Sequence, residues 1–292
     1  MVSWHEKRLY SVPCSKQQSL EVPMNILLTG ANGFVGRRIR EKMPVIAAPS
    51  LRSATEDDVR AMIDAASPDV IIHTAAISDI GTCEQNPEAS LHANVLVPQW
   101  IARAAGSARQ IYFSSDQVYS GLPFRGPYVE EAVSPANIYA RHKLAMENSV
   151  LAAAPHAILL RATWMYDMPV YQAANRGNFL MNLLQAAAAG KELTFSSQQV
   201  RAVTYVRDVA DKIQEILNGS VPGGVYNFGS ENTLDMLETA RLCADMLDLH
   251  LQITDTAPRH DLNMDCSKLR RCGIAFPDTM EGMRRCKADY GL

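Results

Sequence analysis

The chain has 292 residues, of which 47% are hydrophobic and 20% are charged, and its formal net charge is −3. This is the composition of a globular protein with one large domain or two closely joined ones, and it excludes the strongly basic character of a non-specific nucleic-acid binder. The net charge therefore gives no reason to expect nucleic acid among the partners. No apolar run approaches the length that spans a bilayer, so we do not expect a membrane among them either.

The six cysteines are spaced too irregularly for a metal or disulfide framework. None forms a CxxC pair, and the late group Cys266, Cys272 and Cys286 lacks the paired spacing of a zinc site. We therefore predict reduced thiols, no metal and a cytoplasmic location. Residues 1–23 carry charges but no signal-peptide core, and we predict a flexible extension that ends before Met24.

The first half of the sequence alternates short apolar runs with helix-like segments. The apolar runs predict strands at residues 25–29, 44–48, 69–73, 110–114 and 157–161. Between them, helices are predicted at residues 37–42, 56–66, 87–105 and 138–154. Parallel strands need crossover helices and are covered on both faces, so the alternation predicts an α/β protein with a Rossmann-like doubly wound parallel sheet.

Beyond about residue 166 the alternation becomes less regular. We predict helices at residues 179–189, 208–217 and 232–248, and a strand at residues 223–228. These elements predict a Rossmann domain over residues 24–166 and a smaller C-terminal α/β substrate-binding region over residues 167–292. Segments near residues 200–228 are expected to return to the Rossmann domain.

A glycine-rich loop, Gly30-x-x-Gly33-x-x-Gly36, joins the first predicted strand to the first predicted helix. A tight turn, a close approach of the backbone to a pyrophosphate and close packing of helix on strand each favour the removal of a Cβ. The helix N-terminus then offers free N–H groups to the phosphates. Any tight strand–helix turn can use glycine, but the position after the first strand indicates dinucleotide binding.

The segment after the second predicted strand bears on the choice between NAD and NADP. The acidic residue that commonly holds the adenosine ribose is not evident there, whereas Ser50 and Arg52 could accommodate a 2′-phosphate. This leans slightly toward NADP as the cofactor. The alternative is a surface loop with a solvated arginine.

Three residues form a candidate catalytic set. Tyr139 and Lys143 are four residues apart on a predicted helix, so both side chains project from one face. An ammonium beside a tyrosine hydroxyl lowers the tyrosine pKa, which makes the tyrosine a usable general acid. Ser115 lies just beyond the fourth strand, at the sheet edge where open α/β sheets bind ligands. A lone YxxxK pair is weak evidence, but the glycine loop, Ser115 and this pair follow one another in the expected order.

Short motifs along the chain resemble those of extended short-chain dehydrogenases/reductases and, more narrowly, the dTDP-4-dehydrorhamnose reductase family. They are TGANGFVG at 29–36, HTAA at 73–76, FSSDQVYSG at 113–121, YARHK at 139–143, RATWMY at 161–166, and TYVRDVADKI at 204–213. The resemblance covers roughly residues 24–280. It implies an NAD(P)H-dependent oxidoreductase that reduces a keto group on a nucleotide-linked deoxysugar, and a homodimer is one possible assembly.

The resemblance also implies roles for individual residues. Ser115 would orient the keto oxygen, Tyr139 would protonate it, and Lys143 would hold the nicotinamide ribose. The residues expected to line the cofactor are Gly30, Asn32, Gly33, Phe34, Val35, Gly36, Arg52, Ala75, Ala76, Asn94, Tyr139, Lys143, Thr163 and Trp164. The candidate substrate contacts are Ser78, Asp116, Gln117, Arg201 and Arg259.

Two departures from the family pattern concern the substrate. Sugar-nucleotide 4,6-dehydratases have Thr-Asp-Glu where this chain has Ser115-Asp116-Gln117, and a glutamine amide cannot serve as the base, so dehydration is not expected. The reductases usually carry an aromatic residue at the place of Gln117. Arg201 and Arg259 resemble arginines that nucleotide-sugar epimerases use on the substrate diphosphate, and the alternative is two surface ion-pair formers.

Two other functions share these features. A nucleotide-sugar epimerase would use the same three catalytic residues and would keep its NAD tightly bound. A cofactor-binding regulatory subunit without turnover is also compatible, because the methionine adenosyltransferase β subunit resembles the same reductase family. The intact Ser115, Tyr139 and Lys143 set argues against the second alternative.

Overall fold

A computed structural model describes residues 24–123, 126–169, 177–258 and 260–292. The strands are β1 (Ile26–Thr29), β2 (Ile46–Ala47), β3 (Val70–His73), β4 (Arg109–Ser115), β5 (Ile158–Ala162), β6 (Trp164–Tyr166), β7 (Leu193–Phe195), β8 (Val203–Tyr205), β9 (Gly224–Phe228) and β10 (Ile253–Asp255). The α-helices are α1 (Phe34–Lys42), α2 (Glu56–Ala66), α3 (Ile80–Gln85), α4 (Pro87–Leu91), α5 (Val97–Ala104), α6 (Ile138–Ala153), α7 (Phe179–Ala189), α8 (Val206–Asn218), α9 (Met236–Met246), α10 (Ser267–Arg271) and α11 (Thr279–Tyr290).

Six of these strands form one parallel sheet in the order β2-β1-β3-β4-β5-β9. The registers run continuously through its centre, for example from Leu28 to Ile72 and from Ile72 to Ile111. Its central strands are apolar and buried because helices cover both faces. One core lies between the sheet and helices α1 and α8, and the other lies between the sheet and helices α2, α5 and α6. The predicted Rossmann-like doubly wound sheet is confirmed.

The strand β9 comes from late in the chain and completes this sheet beside β5, with Leu160 opposite Tyr226. Two small parallel sheets, β6-β8 and β10-β7, build the rest of the C-terminal half. Their core contains stacked and edge-to-face aromatic rings, among them Tyr166, Phe179 and Tyr205. No helix in the described ranges is long and apolar enough to cross a membrane.

The single helix predicted over residues 87–105 is wrong in detail. The structure has α4, a π-helical turn over His92–Leu96, and then α5. Within the turn the N–H of Val97 donates to the carbonyl of His92, five residues back. Pro98 supplies the reason, because it lacks an N–H and its ring clashes with the carbonyl four residues earlier in a regular helix. The wider turn relieves that clash.

The last helix, α11, is attached to the rest of the molecule by buried polar contacts. Tyr290 donates to Asp167 (Oη···Oδ1 2.7 Å), and Arg38 from α1 donates to the same carboxylate (Nε···Oδ2 2.5 Å). Arg285 pairs with Asp208 on α8 at 2.5 Å, where the Asp208 side chain is fully buried. The C-terminal helix therefore joins the first helix of the Rossmann sheet to the C-terminal half.

Candidate active site

The glycine loop has no room for side chains at two of its three glycines. Gly30 has φ +69°, and a Cβ there would lie 2.7 Å from the backbone nitrogen of Ala75. A Cβ on Gly36 would lie 2.2 Å from the carbonyl oxygen of Gly30. The loop is closed by a hydrogen bond from the N–H of Gly33 to the same carbonyl, at 2.8 Å. The loops that follow β1 and β3 thus meet directly at the carboxyl edge of the sheet.

Asn94 lies in the π-helical turn and supports the loop after β3 from behind. Its side-chain oxygen accepts from the N–H of Ile77 (3.1 Å), and its nitrogen donates to the carbonyl of the same residue (2.9 Å). The side chain is almost fully buried. Asn94 was expected to line the cofactor, whereas the structure gives its amide to the loop that contains Ala75 and Ala76.

The three predicted catalytic residues lie on two adjacent elements. Ser115 ends β4, and its hydroxyl accepts from the N–H of Gln117 (3.2 Å) at the start of a 3₁₀ turn over Asp116–Tyr119. Tyr139 lies in the first turn of α6, one turn before Lys143, and the Lys143 Nζ is 5.8 Å from the centroid of the Tyr139 ring. The three side chains are buried or nearly so.

Lys143 is bound to the strand that carries Ser115. Its Nζ donates to the carbonyl of Phe113 on β4 at 2.8 Å. Burial lowers the pKa of Lys143 to about 8, although the carboxylate of Glu147 acts in the opposite direction. The ammonium is thus the main form at neutral pH, and two of its N–H bonds remain for other acceptors.

The N-terminus of α6 is capped by side chains that the sequence analysis did not single out. Asn137 accepts from the N–H of Ala140 (2.8 Å), and Glu84 from α3 accepts from the N–H of Ile138 (2.7 Å). Asn137 also donates to the side-chain oxygen of Gln117 (3.2 Å). An asparagine two residues before the YARHK motif is an N-cap signal that could have identified this residue. Gln117 is therefore connected to the turn that precedes Tyr139.

Asp116, Trp164 and Arg201 come together from three parts of the chain. The Nε and Nη2 of Arg201 lie 2.9 and 2.7 Å from one carboxylate oxygen of Asp116. The guanidinium lies over the indole of Trp164, 5.2 Å from the ring centroid. With 14% of its side chain exposed, Arg201 is not a surface ion-pair former. The guanidinium of Arg201 is thus held beside Asp116, the residue that follows Ser115.

The remaining predicted site residues have varied surroundings. Thr163 was expected to face the cofactor, but its hydroxyl lies 2.5 Å from that of Thr204 inside the protein. Asn32 accepts from Arg40 (2.7 Å) at the rim of the glycine loop, and Phe34 beside it is 39% exposed. Val35 packs against the core of the sheet, and Arg52 and Ser78 are exposed. Arg259 lies outside the described residues, as do residues 1–23.

The loops of this sheet edge fit a dinucleotide. A glycine cradle that excludes Cβ atoms opens onto the N-terminus of α1, where backbone N–H groups suit phosphate oxygens. On the other side of the edge, Ser115, Tyr139 and Lys143 present two hydroxyls and an ammonium. This set can orient a carbonyl, protonate it and bind a ribose.

Most of the chain is similar to known proteins. Residues 24–269 match the family model described as the RmlD substrate binding domain. The dTDP-4-dehydrorhamnose reductase of Mycolicibacterium smegmatis is 30% identical over 226 residues, which are 74% of this chain and 67% of that protein. The β subunit of methionine adenosyltransferase 2 from Xenopus laevis is 29% identical over 289 residues, 88% of this chain and 85% of that protein.

A solved structure of similar fold is dTDP-4-dehydrorhamnose reductase from Bacillus anthracis in complex with NADP. It matches with a TM-score of 0.80 and 21% identity, covering 91% of this chain and 98% of that one. The family resemblance of the short motifs is confirmed by these matches.

Proposed function

We propose roles for individual residues in the reaction of this chain, which belongs to the family described as the RmlD substrate binding domain. The chain is an NAD(P)-dependent oxidoreductase that reduces a keto group on a nucleotide-linked deoxysugar. The observation that carries the assignment to particular residues is the convergence of Ser115, Tyr139 and Lys143 beside the glycine cradle. We further propose that Gly30, Gly33 and Gly36 bind the cofactor pyrophosphate.

Each catalytic side chain has a distinct role in the proposed mechanism. A bound NADPH or NADH supplies the hydride that converts the keto carbon to an alcohol carbon. Ser115 donates a hydrogen bond that orients the keto oxygen, and Tyr139 gives its proton to that oxygen. The ammonium of Lys143 stabilises the tyrosinate that remains and binds the ribose hydroxyls of the cofactor.

Arg201 is the candidate for the diphosphate of the substrate. Asp116 and Trp164 fix the guanidinium before any ligand arrives, so less side-chain freedom is lost on binding. A guanidinium fork matches phosphate oxygens and keeps its charge at every relevant pH. We further propose that Gln117, whose side-chain oxygen accepts from Asn137 at the N-cap of α6, contacts the sugar near its reacting carbon.

The finer features of the cofactor and the setting remain proposals. The exposed Arg52 and the lack of an acidic residue between Ala47 and Arg52 favour NADPH over NADH. In an Arg52→Ala variant, we expect the KM for NADPH to rise several-fold and the KM for NADH to change little, measured by steady-state kinetics. Cytoplasmic location and a homodimer complete the proposal.

The decisive experiment measures oxidation of NADPH and NADH with a panel of nucleotide-linked 4-keto sugars. We expect the Tyr139→Phe variant to lose at least about a hundredfold in kcat, the lower end of what general acid catalysis contributes, while its affinity for NADPH is retained. Fluorescence titration of NADPH provides the binding control. A variant that reduces the sugar as fast as the parent would contradict the mechanism.

The same experiment separates the alternatives. An epimerase would carry NAD through purification and would interconvert nucleotide sugars without net consumption of NADPH. A regulatory subunit would bind the cofactor, show no turnover with any keto sugar, and form a stable complex with a larger enzyme. The comparisons favour neither of these functions over the reductase.

A further inference from the structure

We infer that Glu147 is a positioning residue of the catalytic helix: its buried carboxylate, held by Arg161 and Ser114, fixes the orientation of α6 that presents Tyr139 and Lys143. This inference rests on the proposed function, because it concerns the same catalytic pair. The hydrogen bonds of Glu147 go to Ser114 and Arg161, so we expect it to influence Tyr139 and Lys143 through the position of α6.

Three polar residues of α6 are spaced so that they lie on one side of the helix. Tyr139, Lys143 and Glu147 follow one another at intervals of four residues, so they form one stripe on α6. This stripe faces β4, the strand that ends in Ser115. Lys143 donates to the carbonyl of Phe113, and Ser114 donates to the carboxylate of Glu147 (Oγ···Oε1 2.5 Å).

The carboxylate of Glu147 forms an ion pair with Arg161. Arg161 on β5 meets Glu147 with two nearly parallel hydrogen bonds, Nε to Oε1 at 2.9 Å and Nη2 to Oε2 at 2.6 Å. Such a fork fixes the angle between the two groups as well as their distance. The third guanidinium nitrogen donates to the hydroxyl of Tyr119 (2.8 Å), in the turn that follows Ser115. Arg161 thus connects α6 to the turn that follows Ser115. Through Glu147 it also connects to Ser114, the residue before Ser115.

Burying the Arg161–Glu147 ion pair costs desolvation free energy. The side chains of Arg161 and Glu147 are 3% and 2% exposed, so both charges are fully withdrawn from water. Replacing a buried ion pair of this kind with apolar residues of similar volume is often neutral or stabilising. Stability alone therefore does not account for the pair. Geometric definition of α6 against β4 and β5 is the property that apolar replacements would lack.

The negative charge of Glu147 also affects the protonation of Lys143. The carboxylate of Glu147 lies one helical turn from Lys143 and favours the ammonium form, whereas burial lowers the pKa of Lys143 to about 8. His73, at the end of β3, is buried and its pKa is lowered to about 3, so it is neutral at neutral pH and adds no opposing positive charge. Without Glu147, the ammonium would lose protons at a lower pH.

The test compares two variants of the parent enzyme. Glu147→Gln retains the size of the side chain but removes its charge, and Ser114→Ala removes one anchor while the charge stays. We expect about a tenfold to hundredfold lower kcat at pH 7 in Glu147→Gln, because small misplacements of catalytic groups have effects of this size. The Kd for NADPH should rise by no more than a few-fold, because the substitution leaves the glycine cradle unchanged. We expect the alkaline limb of its kcat profile to move down by about one pH unit, since loss of a negative charge favours proton release from the Tyr139–Lys143 pair.

In Ser114→Ala, kcat should fall several-fold and the alkaline limb should stay in place. The matched control is Asp167→Asn, which removes one partner from another buried pair, Arg38–Asp167, whose side chains are 7% and 1% exposed. That variant should lose stability without a change in the pH profile of kcat. If Glu147→Gln is too unstable to purify, a Ser114→Ala enzyme with parental kcat overturns the inference, and one with reduced kcat and parental NADPH affinity supports it.

A second readout needs no substrate. Hydrogen exchange of the α6 amides, residues 138–153, should be faster in Glu147→Gln and Ser114→Ala than in the parent and in Asp167→Asn. Unchanged exchange in both variants would overturn the inference even if the enzyme proved to act on another substrate. An inactive parent with the expected exchange pattern would instead refute the proposed function alone.

Discussion

Gly36 is the residue at which the cradle is least tolerant of change, because an added methyl would collide with the backbone of Gly30 rather than with a movable side chain. For Gly36→Ala we expect at least a tenfold weaker affinity for NADPH, since α1 must move away from the loop that we propose binds the pyrophosphate. Fluorescence titration measures this directly. Gly81→Ala on α3 is the matched control, since its new methyl would meet only a side-chain oxygen of Asp79 at 3.5 Å. Equal affinities in the two variants would contradict the assignment of the cradle.

His73 provides a pH-dependent contribution to stability. Its pKa in the folded protein is about 3, lowered from 6.5 by burial and by the nearby charge of Lys143. The unfolded chain therefore takes up a proton below pH 6.5 that the folded protein refuses, and stability is lost as the pH falls from 6.5 toward 3.

The check uses urea unfolding of the parent and of His73→Gln at pH 7 and pH 5. The parent should lose about 2 kcal/mol more of its unfolding free energy than the variant over this interval. Asp208, whose pKa is raised to about 6 by burial, acts in the opposite direction, but it is present in both proteins and cancels in the comparison. Equal losses would show that His73 is not held neutral by the fold.

Single residues also mark what the sequence could and could not predict. Ser115, Tyr139 and Lys143 could be predicted as a candidate set because their order and spacing can be read directly from the sequence. The contact of Asp116 with Arg201 was not predicted, because 85 residues separate the two and only the folded sheet brings them together. Glu147 was not predicted either, because its partner Arg161 lies on a different element, the strand β5, and only the fold shows that the two side chains meet.

At the scale of elements, the π-helical turn is the feature that serves the site most directly. It lets α5 continue past Pro98 and directs Asn94 toward the loop after β3. For Asn94→Ala we expect about 1 to 3 kcal/mol lower stability, because a backbone N–H and a carbonyl of Ile77 lose their partner in a buried place.

The same variant should bind NADPH less tightly, since the loop that contains Ala75 and Ala76 would be less well ordered. Urea denaturation and NADPH titration test the two effects separately. Asn86→Ala is the matched control, because Asn86 is exposed and makes only a marginal side-chain contact of 3.5 Å with the carbonyl of Thr82. A stability loss as large in the control would mean that Asn94 has no special role.

The existence and type of most elements followed from hydrophobic patterning, and the boundaries followed less well. The predicted helix at residues 232–248 begins only at Met236, because Asp235 caps it by accepting from the N–H of Glu238. The short strands β6, β7, β8 and β10 were not predicted. Each has three residues and pairs only with a distant partner, so the local sequence contains too little alternation to reveal it.

At the scale of the whole molecule, the ion pair of Arg285 with the fully buried carboxylate of Asp208 is one of the contacts that hold α11. In Arg285→Met the side chain of Asp208 would lose its nearest cation, and we expect a loss of about 3 kcal/mol in unfolding free energy at pH 8. The neighbouring pair Arg284–Glu281 is equally short at 2.6 Å, but both side chains are about half exposed. Arg284→Met should therefore cost less than about 1 kcal/mol. Similar losses in the two variants, measured by urea denaturation, would contradict this view of the helix.

The position of β9 has a consequence for synthesis on the ribosome. Because β9 begins only at Gly224, the apolar strand β5 is an unpaired edge while the intervening residues are translated, a matter of seconds at about 5 to 20 residues per second. During that time a nascent chain can complete the cradle and the catalytic helix but not the sheet that supports them. A protein ending before Gly224 should therefore aggregate rather than fold as a smaller cofactor-binding unit.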